Sequence, residues 1–474
     1  MGRWAFGLGA AIIAGLHLAL VLVGLTVTRL WEDEAYNLTV PVNLLAGLGY
    51  TSDGVLSTGS LDLFDVRIST GPVVLVPITI PLLLGADPVV AGRAVVALFW
   101  LALVATLFLL GLRLAGRAGA LIAAGLPLLF DGSRYPSPLQ GTTDVLGEIP
   151  AAFFIALFLL VWRRRPGIAG LAIGLAIQCK LLVVVLVPIA LLAIVWSGSG
   201  SPVALKLRRV MMAAGGIALP TALFELTKLA VLGPASYWSA LRDLYYFLRS
   251  GGQAGFATSP GEKLSVLIDS WAVPAPVVAL MAFAVIAGLV VSGVRSRASR
   301  DAADAAGPTG AVAAAMLLAW LLWWVMSTGL PAWVRHPSPV LLSALPVLAA
   351  VSVGALPRGA RGVLRPAGVV VCVAIAVAGV VGAATRISVA LSPTETLSSQ
   401  REIASELRLV PGDVLRGEWG VVPTLPILAG KRSIALEKPG PGVPLILAED
   451  DGRIDGCGRV VLRVPGYIVC EPLS

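Results

Sequence analysis

Trp31-Glu32-Asp33-Glu34-Ala35-Tyr36 sets three carboxylates side by side just after a long apolar run. Adjacent like charges raise one another's pKa, which is how a general base for a hydroxyl, or a binding site for a cation, is made. The plainer alternative is a solvated acidic cap on a helix. In Thr142-Thr143-Asp144-Val145-Leu146-Gly147-Glu148-Ile149-Pro150, the i, i+4 spacing of Asp144 and Glu148 puts two further carboxylates on one helical face. They either cap a helix N-terminus or line the same cavity as Asp33 and Glu34.

Candidate cations are few. Lys180 interrupts an apolar stretch, and Arg335 and His336 sit in Pro331-Ala332-Trp333-Val334-Arg335-His336-Pro337. Fixed cations in such places can hold a phosphate by charge-assisted hydrogen bonds; the alternative is snorkelling to lipid headgroups. Glu225 and Lys228, one helical turn apart, are expected to neutralise each other.

The elements that must position these groups are membrane spans. Hydrophobic residues make up 57% of the 474 residues and charged residues only 13%, and the mean hydropathy is +0.90. Segments 4–28, 94–112, 271–294 and 367–385 carry no Asp, Glu, Lys or Arg and reach the roughly 20 residues a hydrocarbon core requires. No small-x-small cleavage site precedes Trp31, so the first segment reads as a retained span and not a signal peptide. The net charge of +8 comes from basic residues in short clusters between apolar runs, as the positive-inside rule requires, and does not point to nucleic acid.

Placing the clusters around Arg113, Arg163, Arg208, Arg297 and Arg361 on the cytoplasmic side constrains the topology by parity. Segment 71–85 then stays on the outer side without crossing, and segment 167–196 crosses twice, turning at Lys180. The fold class is a polytopic α-helical membrane protein of about eleven transmembrane helices, N-terminus cytoplasmic and C-terminus extracytoplasmic. Acidic residues, which took no part in that assignment, gather on the outer face, Asp53, Asp65, Asp87 and Asp131 among them. A functional site there accounts for the asymmetry.

Residues 1–385 form the transmembrane module, with a first outer loop at 29–87 carrying juxtamembrane helices. Residues 386–474 form a small mixed α/β or β-rich extracytoplasmic domain, with strand character at 432–436 and 460–464. Cys457 and Cys470 there either form a disulfide or remain two thiols, and Cys179 and Cys372 lie in apolar runs. Tyr237, Trp238, Tyr245, Tyr246 and Phe247 suit the headgroup level. The chain has no P-loop, no dinucleotide fingerprint and no zinc-ligand spacing.

Together these parts resemble the C-type glycosyltransferase superfamily, polytopic enzymes that include protein O-mannosyltransferases and aminoarabinose-type lipid A transferases. The residues carrying the resemblance are Asp33-Glu34, Tyr36, the run Asn43-Leu44-Leu45-Ala46-Gly47-Leu48-Gly49-Tyr50, the short apolar helix from Thr70-Gly71-Pro72, Gly92-Arg93, and a Gly-rich helix ending in Lys180. They lie in roughly the first 200 residues, and the Arg335-His336-Pro337 segment matches more loosely. Trp31-Glu32 before the pair and a polar insertion at 57–65 depart from the well-known branches.

The resemblance implies a polyprenyl-phosphate sugar donor and inverting transfer to an acceptor hydroxyl. Asp33 would be the base and Glu34 would orient acceptor or base. Lys180, Arg335 and His336 would stabilise the departing lipid phosphate, while Tyr36, Asp144 and Glu148 would line the acceptor cavity. The acceptor is a glycolipid, polysaccharide or protein, and an apolar groove open to membrane lipids would hold the prenyl chain. The resemblance fixes no cofactor: relatives differ in using a divalent cation, which leaves a metal at Asp33, Asp144 or Glu148 open. A secondary transporter or lipid flippase is the alternative, yet no matching pair of broken helices is present and the charges gather at one face. A scaffold with an exported tail would leave Asp33 and Lys180 unexplained. High Ala, Gly, Val and Arg content fits a GC-rich bacterium, which places the chain in a bacterial inner membrane.

Overall fold

The computed structural model describes residues 2–53, 61–130, 137–139, 141–198, 200–249, 259–271, 282, 286, 290, 306–327, 333–355, 377–392, 396–417, 424–435, 445–450 and 457–473. Most of the expected spans 271–294 and 367–385, the basic clusters at 295–300 and 358–365, Asp131 and Cys372 lie outside them. The helices are α1 (Arg3–Thr26), α2 (Glu32–Leu45), α3 (Pro72–Leu83), α4 (Pro88–Gly125), α5 (Glu148–Val161), α6 (Pro166–Ile177), α7 (Val187–Ser197), α8 (Val203–Arg249), α9 (Pro260–Asp269), α10 (Ala306–Met326), α11 (Ser338–Ala355), α12 (Val377–Ala390), α13 (Leu397–Leu407) and α14 (Thr424–Ala429).

Among the described residues, four helices are long and apolar enough to cross a membrane: α1, α4 with its extension to Leu129, α8 and α10. Six more apolar segments are shorter, at 10–17 residues. This corrects the expectation of about eleven full-length spans. Apolar content counts residues, whereas crossing depends on unbroken helical rise, and Pro and Gly cut several of the apolar runs short. At 1.5 Å per residue the 12 residues of α3 extend about 18 Å, short of the roughly 30 Å hydrocarbon core.

The longest helices fold back on themselves. Gly116 within α4 has φ 69°, a left-handed conformation that glycine tolerates, and a Cβ on Gly111 would lie 2.2 Å from the Gly119 carbonyl oxygen. Residues eight apart in an unbroken helix are about 12 Å apart, so the chain reverses at Gly116. Arg113 and Arg117 flank this turn. Phe6 stacks on Phe108 at 5.9 Å and the Arg117 guanidinium lies 5.7 Å from the Phe6 ring centre, which puts the turn beside the start of α1. Arg113 donates to the Leu160 carbonyl (2.9 Å), and Arg209 donates to the Arg163 carbonyl (2.7 Å) and Ser197 Oγ (2.8 Å). The described basic turns therefore gather towards the end of the bundle where α1 begins, and the carboxylates gather where α1 ends.

Backbone contacts at glycines position the turn that carries Lys180. A Cβ on Gly170 would meet the Ala213 carbonyl oxygen at 2.0 Å, and one on Gly174 the Ile217 carbonyl oxygen at 2.5 Å, so α6 lies directly against α8. At the far end of α6 the Cys179 carbonyl accepts from the Gly71 N–H at 3.0 Å. A side chain at Gly71 or Gly147 would collide with the Gln178 or Cys179 carbonyl. Three segments thus converge on the turn before Lys180. Glu225 and Lys228 on α8 pair at 3.2 Å, as their spacing predicts. Beyond a second break at Gly233 (φ 72°), Trp238, Tyr245 and Tyr246 are exposed.

The C-terminal segment holds a mixed five-stranded sheet, β1 (Val414–Gly417), β2 (Arg432–Ala435), β3 (Ile446–Glu449), β4 (Cys457–Val464) and β5 (Tyr467–Pro472), in the order β2-β1-β3-β5-β4. β1 is parallel to β2 and β3; β3 and β4 are antiparallel to β5. The parallel pairing of β1 and β2 needs a crossover, and α14 supplies it. Cys457 and Cys470 form a disulfide that ties β4 to β5, which decides between the two alternatives left open by the sequence.

Replacing Gly170 by Leu forces a side chain into the Ala213 backbone, and is expected to lower stability by about 1–3 kcal/mol. Thermal unfolding of the detergent-solubilised protein measures it; an unchanged midpoint would show that α6 and α8 are not in backbone contact.

Candidate active site

Five residues link α1 to α2, and Arg93 on α4 fixes their course. Its side chain and that of Glu34 are fully buried, and they pair through Nε to Oε1 and Nη2 to Oε2, both at 2.7 Å. Nη1 also donates to the Gly24 and Thr28 carbonyls at 2.7 Å, and Nη2 to the Arg29 carbonyl at 2.9 Å. All five guanidinium N–H donors are used. Glu34 is therefore a buried anchor with no surface towards a substrate, and its neighbour Asp33 faces the other way.

Asp33 forms an ion pair with Nη2 of Arg335, and both side chains keep some exposure, 26% and 19%. The Arg335 guanidinium also lies 5.1 Å from the Trp31 ring centre, a cation–π contact. Lys180 Nζ pairs with Glu148 Oε1 at 2.9 Å. Asp144, Glu148 and Arg335 line one small cavity with Leu139, Ile149 and Leu342. Residues far apart in the chain therefore meet at one place.

Asp144 lies in the loop before α5. Burial, and then the neighbouring Glu34 carboxylate, push its pKa up to about 7, against the opposing pull of Arg93 and Arg335. Asn37 on α2 holds this loop by donating to the Val145 carbonyl at 2.9 Å, and also reaches Thr70 Oγ1 at 3.0 Å. Burial, then the nearby Lys180 and Arg335 charges, push the His336 imidazole down to about 3. His336 is therefore neutral near pH 7, and enters as a hydrogen-bonding group and not as a third fixed cation.

Tyr36 is buried in the first loop, its hydroxyl 2.8 Å from Ser52 Oγ and 3.4 Å from Asp65 Oδ2. Burial and the Asp65 charge push the phenol well above its ordinary pKa, so it stays protonated. Its contacts hold the loop together.

Sequence reasoning took Arg93 as part of a motif and missed its partner, Glu34. An arginine at the mouth of an apolar span is itself a signal, because an intramembrane charge demands a counter-charge. Asn37 and Lys263 were missed too. Lys263, fully buried, donates to the Trp324 carbonyl at 2.9 Å and the Ser327 carbonyl at 2.5 Å, closing the end of α10 shortly before the Arg335 segment. Neither carries a pattern distinguishable from an ordinary polar loop residue. As for a metal, no group of three or more His, Cys, Asp or Glu among the described residues could hold one. The carboxylates Asp33, Glu34 and Glu148 each pair with a cation of the chain itself.

No protein-family model matches the chain, and no curated protein matches it in sequence. Its structure is similar to that of ArnT from Cupriavidus metallidurans bound to undecaprenyl phosphate, with a TM-score of 0.65 and 14% identity over 99% of this chain and 98% of that one. It is also similar to the same protein in the apo state, with a TM-score of 0.62 and 15% identity over the same shares. At such identity the similarity establishes the fold. The chain shares the fold of these two structures over nearly its whole length.

Two outcomes follow from this geometry. Arg93→Met leaves Glu34 buried without its partner and should cost about 3–5 kcal/mol, read as loss of monodisperse protein on size exclusion. The pKa of Asp144, about 7 against an ordinary 3.8, is raised on folding. Its stabilising contribution is therefore full below about pH 4, declines as pH rises, and is gone above about pH 7. Between about pH 4 and about pH 7 the wild type should lose thermal stability that Asp144→Asn does not lose. Parallel curves for the two proteins would contradict the placement of Asp144.

Proposed function

We propose that this chain is a membrane glycosyltransferase that moves a sugar from a polyprenyl-phosphate donor to an acceptor hydroxyl on the extracytoplasmic face, inverting the anomeric carbon. The observation that carries this reading is the convergence of Asp33, Arg335, Lys180, Asp144 and Glu148 around one small cavity, at the end of the bundle opposite the basic turns. The shared fold supports the donor class, since ArnT is a protein captured with undecaprenyl phosphate.

Asp33 is the general base. In the resting state Arg335 neutralises it; an arriving lipid phosphate competes for that guanidinium and leaves the carboxylate able to accept a proton. The acceptor O–H proton passes to Asp33 as the acceptor oxygen attacks the anomeric carbon. The bond from that carbon to the phosphate oxygen breaks on the opposite side, and its electron pair leaves with the lipid phosphate. Arg335 and Lys180 stabilise that developing charge, and His336 adds a neutral hydrogen bond. Glu34 holds the base in place through Arg93, while Asp144 and Glu148 line the acceptor side. The acceptor class, whether glycolipid, polysaccharide or protein, is left open by these residues.

In this reading residues 1–385 are the transmembrane module, with the N-terminus cytoplasmic, and residues 386–474 are an extracytoplasmic domain. The basic turns beside the start of α1 and the disulfide between Cys457 and Cys470 both support that orientation, and the bacterial inner membrane is the proposed location. A transporter would place its ionisable groups near the bilayer midplane, whereas these pairs sit at helix ends.

Asp33→Asn keeps size and polarity but removes the proton acceptor. Transfer should fall at least about 100-fold with donor affinity retained, whereas Lys180→Ala should weaken donor affinity itself. Purified enzyme assayed with a defined polyprenyl-phosphate sugar separates the two. Wild-type rates in Asp33→Asn would exclude it as the base.

A further inference from the structure

The segment between α1 and α2, Val27 to Trp31, aims the helix that carries Asp33, and few of its backbone groups are satisfied locally. On the membrane side the Thr28 and Arg29 carbonyls accept from Arg93. On the other side, partners come from the C-terminal part of the chain. The Leu397 N–H donates to the Val27 carbonyl at 2.9 Å, and Thr28 and Thr396 form an antiparallel bridge. The Gln400 amide then closes on both backbone groups of Leu30. Its Oε1 accepts from the Leu30 N–H at 2.6 Å, and its Nε2 donates to the Leu30 carbonyl at 2.7 Å. The Leu30 side chain is itself buried.

Leu30 lies three residues before Asp33. A primary amide that binds the N–H and the C=O of one residue fixes that peptide's position and rotation together, as a strand partner would. A second tie lies further along the first loop. Buried Asp53 accepts from the Ser433 N–H of β2 at 3.0 Å, and from Asn43 Nδ2 of α2 at 2.9 Å. The C-terminal part thus grips the first loop at both ends of α2.

We propose that Gln400 is a positioning residue for the base: the α13 segment, some 370 residues downstream, sets the angle at which α2 presents Asp33. The C-terminal part is then a structural component of the active site and not only an appendage that recognises acceptors. This rests on the reading of Asp33 as the base.

The test uses the full chain with Gln400→Ala, Gln400→Glu and, as a control, Arg401→Ala, which breaks only an exposed ion pair from the same helix to Asp87. Hydrogen exchange across residues 27–35 and steady-state transfer are both measured. Gln400→Ala should exchange about tenfold faster at Leu30. It should also lose about 10- to 100-fold in kcat with the donor KM unchanged, since misplacement by about 1 Å is enough for that. Gln400→Glu keeps the acceptor for the Leu30 N–H and should recover part of the loss, while Arg401→Ala should behave as wild type. Unchanged exchange in Gln400→Ala, or faster exchange with wild-type kcat, would overturn the proposal. If the wild type transfers no sugar at all, the proposed reaction fails, and the exchange measurement alone decides whether Gln400 holds the segment.

Discussion

A guanidinium can be buried at the edge of a membrane domain only if all five of its N–H groups find acceptors, and Arg93 meets that condition. Two of its bonds take Glu34 and three take the carbonyls of Gly24, Thr28 and Arg29. One side chain thereby joins the second spanning segment to the end of the first and to the start of α2. The rest of the site depends on it. With Glu34 turned inward, Asp33 is left at the cavity rim, where Arg335 can reach it, and the Asp144 loop is held close by through Asn37.

Asp33, Glu34 and Glu148 each meet a cation brought from a distant part of the chain, and those pairs differ in what they permit. The Arg93 pair is sealed and can only organise. The pairs of Asp33 with Arg335 and of Glu148 with Lys180 border the cavity, so a phosphate can exchange for a carboxylate there without opening the fold. In the proposed reaction, the phosphate-binding cations stay neutralised until the substrate supplies a better anion. This avoids both the cost of bare charges at the membrane edge and non-specific capture of headgroup phosphates.

Much of this was legible in the sequence. The acidic cluster after the first span, the apolar helix too short to cross, and the isolated Lys180 and Arg335 all stand out because a charge or a break in an apolar context is rare. The disulfide and the long-range pairings of the site were not legible. Nothing in the spacing of Asp33 and Arg335, or of Leu30 and Gln400, marks them as neighbours, because such contacts are set by how helices cross and not by periodicity. The charge states also required the fold: only the surroundings of His336 make it neutral, and only those of Asp144 raise its pKa. The span count was overestimated because, among the described residues, several apolar runs form helices of 10–17 residues, short of a full crossing.

The most direct measurement is mass spectrometry of the lipids that co-purify with the protein under gentle extraction, comparing wild type with Asp33→Asn. A variant that binds its donor but cannot discharge it should carry a polyprenyl-phosphate hexose or pentose, enriched over the wild type. Bulk phospholipid alone in both preparations would contradict the donor assignment on which this account rests.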